Sequence, residues 1–124
     1  MTLNRCRRIA APLAWLALML GGGCGIAPKS FNKVADPAPI NRARSVSLAA
    51  GLPQRKVVPA LIDRLEDRDP VVRLAAFEEL RTGTGKTFGF VPWAGEAERA
   101  AAVARWRAWW KQCQDALARS GRNP

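Results

Sequence analysis

The fold of this chain is decided by residues 60–80, ALIDRLEDRDPVVRLAAFEEL, near the middle of its 124 residues. Up to the proline, apolar residues recur at the helical spacing i, i+3, i+4 and i+7, namely Val58, Leu61, Ile62 and Leu65. This period predicts an amphipathic helix over 55–67. After the proline a second apolar stripe, formed by Val72, Ala76 and Leu80, predicts another helix over 71–81.

Asp69 and Pro70 mark the boundary between these two helices. An acidic N-cap followed by proline at the first helical position is typical of a helix N-terminus. Arg73 follows Asp69 by four residues, a spacing that allows an ion pair at the capped end. Because the connection is so short, we expect the two helices to pack as an antiparallel hairpin.

The same stretch resembles a HEAT repeat, and the residues that carry the resemblance are Asp69-Pro70-Val71-Val72-Arg73 followed by Ala76 and Leu80. In that family the aspartate caps the second helix, the arginine interacts with neighbouring acids, and the small alanine lets the helices approach. The resemblance covers residues 60–80 and implies a unit of an armadillo-like α-solenoid.

Residues 82–95, TGTGKTFGFVPWAG, form a predicted loop rich in glycine and aromatic residues. We expect Phe88, Phe90 and Trp93 to pack back on the helices while the glycines supply the turns. The Gly85-Lys86-Thr87 triplet suggests a phosphate-binding loop, but that motif needs a glycine where this chain has Leu80. We therefore exclude a nucleotide site.

The last helix is predicted over 96–119, with Glu96 and Glu98 suited to its positive N-terminus and Gly121 following its end. Its apolar stripe consists of Val103, Trp106, Trp110, Cys113 and Leu117, with Trp109 beside it. Such a stripe predicts a core face, with a ligand platform as the alternative. The tail, from TGKTFGF through ERAAAVARWRAWW, resembles the end of bacterial HEAT-repeat proteins, where a similar loop and helix cap the array.

The predicted fold class is therefore all-α: a short HEAT-like hairpin and a Trp-rich C-terminal capping helix in one domain, residues 55–120. Solenoid units bury their faces against neighbours, and about three are normally needed for stability. Two arrangements stay open. Either the three helices close around the tryptophans, or an apolar edge remains available for a partner.

The N-terminal residues have the order of an export signal. Arg5, Arg7 and Arg8 precede an apolar run over 9–20, which is followed by glycines and Cys24. As a helix this run would be about 18 Å long, short of the roughly 30 Å hydrocarbon layer. We therefore predict a signal peptide over 1–23.

Residues 20–24, LGGGC, resemble a bacterial lipobox, which implies acylation of Cys24 and cleavage before it. The departure from the pattern is Gly21, because that position favours leucine or another aliphatic residue. An uncleaved membrane anchor and ordinary cleaved secretion are the alternatives. All three place the body outside the cytoplasm, and the lipobox favours anchoring on the periplasmic side of the cell membrane or the outer membrane.

Residues 24–54 are predicted to be a disordered, mostly extended tether, because prolines recur in them with little apolar periodicity. A short helical turn packed on the body is predicted only at 46–52. Beside a membrane, the bases of this segment could contact anionic headgroups; those considered are Lys29, Lys33, Arg42 and Arg44. The alternative is a solubilising spacer.

The amino-acid composition argues against a metal site, a cofactor or a reactive thiol. The chain has no histidine, and its three cysteines form no CxxC pair, so neither a metal site nor a cofactor is expected. Cys113 is expected to be a free, inert thiol on an apolar helix face. The net charge of +10 comes mostly from the N-terminal segments, and nucleic-acid binding is considered only if these are not an export signal.

These observations predict a non-enzymatic, lipid-anchored protein–protein interaction module whose partner is an unknown envelope protein. The alternative is a glycan or peptidoglycan binder that stacks sugars on exposed indoles, for which the candidates are Trp93 and Trp109. Burial separates the two hypotheses. If both rings are covered by the helices, the glycan hypothesis fails.

Overall fold

The computed structural model describes residues 30–121, and in this range the chain is all-α, without strands. The described residues form four α-helices: α1 (Pro39–Val46), α2 (Gln54–Arg64), α3 (Pro70–Thr84) and α4 (Glu96–Ser120). Short 3₁₀ helices, Phe31–Ala35 and Ser47–Ala49, precede and follow α1. The predicted all-α class is confirmed. The predicted signal peptide, Cys24 and Lys29 lie outside the described residues.

The α2–α3 hairpin forms where the sequence predicts it. Asp69 Oδ1 accepts a hydrogen bond of 2.8 Å from the Val71 N–H, and Pro70 opens α3. The predicted apolar stripes of both helices are buried. Helix α3 continues to Thr84, past the predicted end, because Gly85 adopts a left-handed φ of 69° and caps it by donating to the Arg81 carbonyl.

The four helices form two layers. Helix α1 packs on α3, α4 packs on α2, and α2 and α3 pack on each other. Each helix thus packs on the second helix after it in the chain, α1 on α3 and α2 on α4. In this arrangement α1 and α3 make one layer and α2 and α4 the other.

The segment predicted as an extended tether, 24–54, is folded from Ser30 onward. Ser30 Oγ accepts from the Asn32 N–H at 3.0 Å and starts the first 3₁₀ helix, whose Phe31 is buried. The predicted turn at 46–52 is confirmed by the 3₁₀ helix Ser47–Ala49. The tether prediction is wrong here because composition measures what a segment can bury alone, whereas these side chains are covered by the rest of the domain.

Helix α4 places its tryptophans against the core. The predicted face is buried from Val103 to Cys113, and Trp106 is wholly inaccessible to solvent. Leu117 of the predicted stripe is exposed instead. Helix α4, with 25 residues, is about 37 Å long, whereas α2, with 11 residues, is about 16 Å long. Helix α4 therefore extends beyond α2, the helix that packs on it, and Leu117 lies near its C-terminal end. No helix within 30–121 combines the length and the apolar character that crossing a membrane requires.

Candidate functional site: an exposed tryptophan loop held by buried arginines

Arg73 ties three parts of the molecule together. Its side chain is 7% exposed, and its Nε donates to the Pro92 carbonyl at 2.6 Å. Its Nη1 donates to the carbonyls of Asp67 and Arg68, at 2.8 and 3.0 Å. One guanidinium therefore joins α3, the α2–α3 connection and the aromatic loop. Burial lowers the pKa of Arg73, and the neighbouring charge of Arg99 adds to this, yet a guanidinium stays charged at neutral pH.

The ion pair allowed by the Asp69–Arg73 spacing does not occur among the ion pairs of the described residues. The Asp69 carboxylate caps the Val71 N–H instead, while the guanidinium turns inward to the carbonyls. The predicted cap is therefore confirmed, but the predicted use of Arg73 is wrong.

A second buried arginine holds the same connection from the other side. Arg42 of α1 makes a bidentate pair with Asp67, with Nε–Oδ2 and Nη2–Oδ1 distances of 2.8 Å. Its Nη1 donates to the carbonyls of Asp36 and Pro37. Burial alone raises the pKa of Asp67, but the hydrogen bonds from Arg42 and from the Asp69 N–H outweigh it and leave this pKa below its usual value.

This pair corrects the predicted headgroup contacts. Arg42 is buried and committed to Asp67, so it cannot reach a membrane surface. Lys33 forms an ion pair of 3.2 Å with Asp36. Among the described members of the predicted set, Arg44 is exposed and has no ion pair with a described residue.

Trp93 stands on a loop whose backbone is fixed on both sides. The Pro92 carbonyl is bound by Arg73, and the Ala94 carbonyl accepts a hydrogen bond from Arg99 Nη1. Between them the indole is 72% exposed. The expectation that Trp93 packs back on the helices is wrong, because Pro92 is the residue buried at this point and its bond to Arg73 leaves the next side chain outside.

Trp109, the other candidate indole, belongs to an aromatic cluster. Its ring centroid lies 5.7 Å from that of Trp106 and 6.1 Å from that of Phe88. Phe88 also meets Trp106 edge to face at 4.8 Å, as its predicted packing requires. The Lys86 ammonium lies 5.9 Å from the Trp109 centroid. Trp109 is therefore half-buried and packed against its aromatic neighbours and Lys86. Of the two candidate indoles, only Trp93 is exposed enough for a partner to contact it.

The Trp93 loop lies at the end of the hairpin where α2 stops and α3 starts, because Arg73 ties Pro92 to the Asp67 and Arg68 carbonyls. This end also exposes Val71 in the first turn of α3, Val91 in the loop and the side chain of Arg68. The exposed surface at this end therefore includes three apolar side chains, those of Trp93, Val71 and Val91, and one cation. We call it the Trp93 surface; sequence patterns could not reveal it, since its orientation depends on one long-range hydrogen bond.

Other chemistry-bearing groups are engaged elsewhere. Arg107 pairs with Glu66 at 2.6 Å, and Arg81 pairs with Glu78 at 2.6 Å. The part of the chain that the structure describes contains no group of three potential metal ligands. Cys113 is buried and disulfide-bonded, so the expectation of a free thiol is wrong. The buried indole N–H groups of Trp106 and Trp110 have no hydrogen-bond partner among the residues described.

Comparison with known proteins gives no match: no family model fits the chain, and neither a curated protein nor a solved structure is significantly similar to it.

Proposed function

We propose that this protein is a lipid-anchored, non-enzymatic interaction module that binds another protein of the cell envelope through the Trp93 surface. The observation that carries the proposal is the 72% exposed indole of Trp93 on a loop held by two guanidinium groups. Tryptophan is enriched among residues that dominate binding energy at protein interfaces. A side chain presented by a rigid backbone also loses less conformational entropy when it binds.

The packing of the helices supports a HEAT-like architecture for this module. Stacking of α1 on α3 and of α2 on α4 is the two-layer arrangement expected when helix pairs stack in an α-solenoid. The Asp69 cap on α3 is consistent with the resemblance noted in the sequence. Such solenoids commonly act as binding scaffolds.

The N-terminal pattern supports anchoring through Cys24, on the periplasmic side of the cell membrane or the outer membrane. Three arginines, an apolar run and the LGGGC stretch follow the order of a lipoprotein signal. An uncleaved anchor and ordinary secretion remain alternatives. The disulfide of Cys113 adds a chemical test, because the other cysteines of the sequence are Cys6, which cleavage before Cys24 removes, and Cys24, whose sulfur cannot carry diacylglycerol and a disulfide at once. A cleaved and lipidated protein therefore cannot keep this disulfide within its own chain.

Intact mass and detergent partitioning test the anchor. Wild-type protein and a Cys24→Ala variant are expressed in a Gram-negative host and measured with and without reduction. We expect wild type to lose residues 1–23, gain lipid mass and enter the detergent phase, while the variant does none of these. A wild-type protein without lipid mass, with Cys24 recovered in a disulfide or the chain still starting at Met1, would reject lipidation.

Site-specific cross-linking in cells tests the interaction. A photoreactive amino acid is placed at position 93 and, as a control, at exposed position 111 on α4. We expect a discrete adduct from position 93 only. Once the partner is identified, Trp93→Ala should weaken its binding by about 2 kcal/mol, roughly 30-fold. Equal adduct patterns at the two positions would remove the evidence for a specific surface.

Glycan binding is a second candidate, and the exposure of Trp93 favours it. An exposed indole face can stack on a sugar ring, whereas Trp109 is engaged by its aromatic neighbours and Lys86. Sedimentation with purified peptidoglycan separates the candidates. Retention by the sacculi that is lost in Trp93→Ala and kept in Trp109→Ala would favour the glycan hypothesis over a protein partner.

A further inference from the structure

The connection between α1 and α2 exposes three basic side chains. Residues 44–56, RSVSLAAGLPQRK, include Arg44, Arg55 and Lys56 and no acid. All three bases are exposed, and none forms an ion pair with a described residue. Arg55 and Lys56 lie in the first turn of α2, where the positive helix terminus adds to their field and the turn itself holds no acidic residue.

The same connection exposes apolar side chains between the bases. Leu48 is 38% exposed and Leu52 is 37% exposed. A segment that presents leucines flanked by arginine and lysine matches the chemistry of a bilayer interface, where apolar groups enter the headgroup region and cations meet lipid phosphates. We call residues 44–56 the basic connection.

The described part of the chain begins beside the basic connection. The 3₁₀ helix Phe31–Ala35 packs along α1 and also contacts the 3₁₀ helix Ser47–Ala49 within the connection. Ser30 is the first described residue, and six peptide steps separate it from Cys24. At full extension six steps span about 22 Å. A lipid on Cys24 would therefore keep this end of the body close to the membrane surface.

We propose that the basic connection docks the body on an anionic phospholipid surface, with Arg44, Arg55 and Lys56 at the headgroups and Leu48 and Leu52 at the interface. This inference rests on the proposed function, because it takes Cys24 as the anchor. In this proposal the contacts with lipid headgroups are made by a folded surface, whereas the sequence analysis expected them from an extended tether. It also orients the molecule, since the Trp93 surface lies at the opposite end of α2 and points away from the lipid.

The test uses the mature lipidated protein in two kinds of vesicle, phosphatidylcholine alone and an equal mixture of phosphatidylcholine and phosphatidylglycerol. A fluorescent amino acid is placed at exposed Ala50 in the connection or, as the control, at exposed Val71 at the far end. Lipids with a nitroxide on the headgroup quench fluorophores near the surface. We expect strong quenching at position 50 in the anionic vesicles, weaker quenching there in phosphatidylcholine, and little at position 71 in either.

Charge removal provides the matched variants. The triple change Arg44→Gln, Arg55→Gln and Lys56→Gln should reduce the docked-to-undocked ratio in anionic vesicles by about 100-fold, the effect expected for three surface cations. The control triple Arg107→Gln, Lys111→Gln and Arg119→Gln removes the same charge from exposed positions on α4 and should leave quenching at position 50 unchanged.

The outcomes separate docking from anchoring. If the protein floats with the vesicles but position 50 is unquenched, or if both triple variants behave alike, docking is wrong while the anchor stands. If quenching is equal in both kinds of vesicle, recognition of anionic lipid is wrong. If the protein carries no lipid and does not float, the proposed function fails, and this inference fails with it.

Discussion

Buried guanidinium groups organise this molecule at the scale of single residues. Arg73 satisfies three backbone carbonyls from two loops, and Arg42 forms a bidentate pair with Asp67 across 25 residues of sequence. Few side chains could do this, because only arginine offers five donors in a planar fork. The cost of losing either lies in the polar groups left unpaired in the interior.

Arg73→Met should destabilise the domain by about 3 kcal/mol, because the side chain keeps its length while three carbonyls lose a charged donor. The free energy of unfolding is measured by urea denaturation monitored by helical circular dichroism. Arg68→Met is the control, since the Arg68 side chain is exposed. Equal stability of the two variants would show that the Arg73 hydrogen bonds contribute nothing.

Asp67 should make stability depend on pH in the acid range. Its pKa is lower in the folded state than in the unfolded chain, where it is about 3.9. The stabilisation is thus fully present above the unfolded value and is lost as pH falls through the folded value. Burial raises the pKa of Glu79, so the contribution of Glu79 to stability changes with pH in the opposite direction to that of Asp67. The quantity to measure is therefore the difference in unfolding free energy between wild type and Asp67→Asn, followed from pH 7 downward.

The difference in unfolding free energy between wild type and Asp67→Asn should be about 3 kcal/mol at pH 7, because the variant leaves Arg42 buried without its counter-charge. This difference should become smaller below pH about 4. A difference that stays constant with pH would show that ionisation of Asp67 does not contribute.

Helical elements were predictable from the sequence where burial follows a local period. The stripes of α2 and α3 and the Trp106 face of α4 are read directly from spacing, and Asp69-Pro70 locates a boundary. Helix α1 was not predictable, since PINRARSV shows no stripe and is held by the long-range Arg42–Asp67 pair. The exposure of Trp93 was missed for the same reason, because it depends on Pro92 bonding to a residue 19 positions away.

The folded state of the segment 30–54 is open to a direct test. Phe31→Ala should destabilise the domain by about 3 kcal/mol, because it removes a large side chain buried against the body. Ile40→Ala, in the same segment but exposed, should change stability by at most about 0.5 kcal/mol. Both are measured by urea denaturation of the full chain. An unchanged Phe31→Ala variant would restore the interpretation of this segment as a tether.

At the scale of the whole molecule, the α2–α3 hairpin separates two surfaces with different chemistry. The basic connection lies at the end where the described residues begin, and the Trp93 surface lies about 16 Å away along the 11 residues of α2. Because the two surfaces lie at opposite ends of α2, one molecule could use both at the same time. An anchor at Cys24 and docking of the basic connection would leave Trp93 facing a partner above the membrane.

Lengthening the link between anchor and body should weaken docking without changing any contact. With Cys24 as the anchor, the basic connection would meet the bilayer at an effective concentration set by the six steps from Cys24 to Ser30. Inserting a flexible glycine-serine segment before Ser30 that makes the link fourfold longer should lower the docked-to-undocked ratio about 8-fold, following the −3/2 power of length. The measurement is headgroup quenching at position 50 in anionic vesicles, and a rigid polyproline insert of equal length is the control expected to reduce docking further. Quenching that does not respond to either insert would mean that the body binds the surface independently of its anchor, so that the short link has no part in orienting the Trp93 surface.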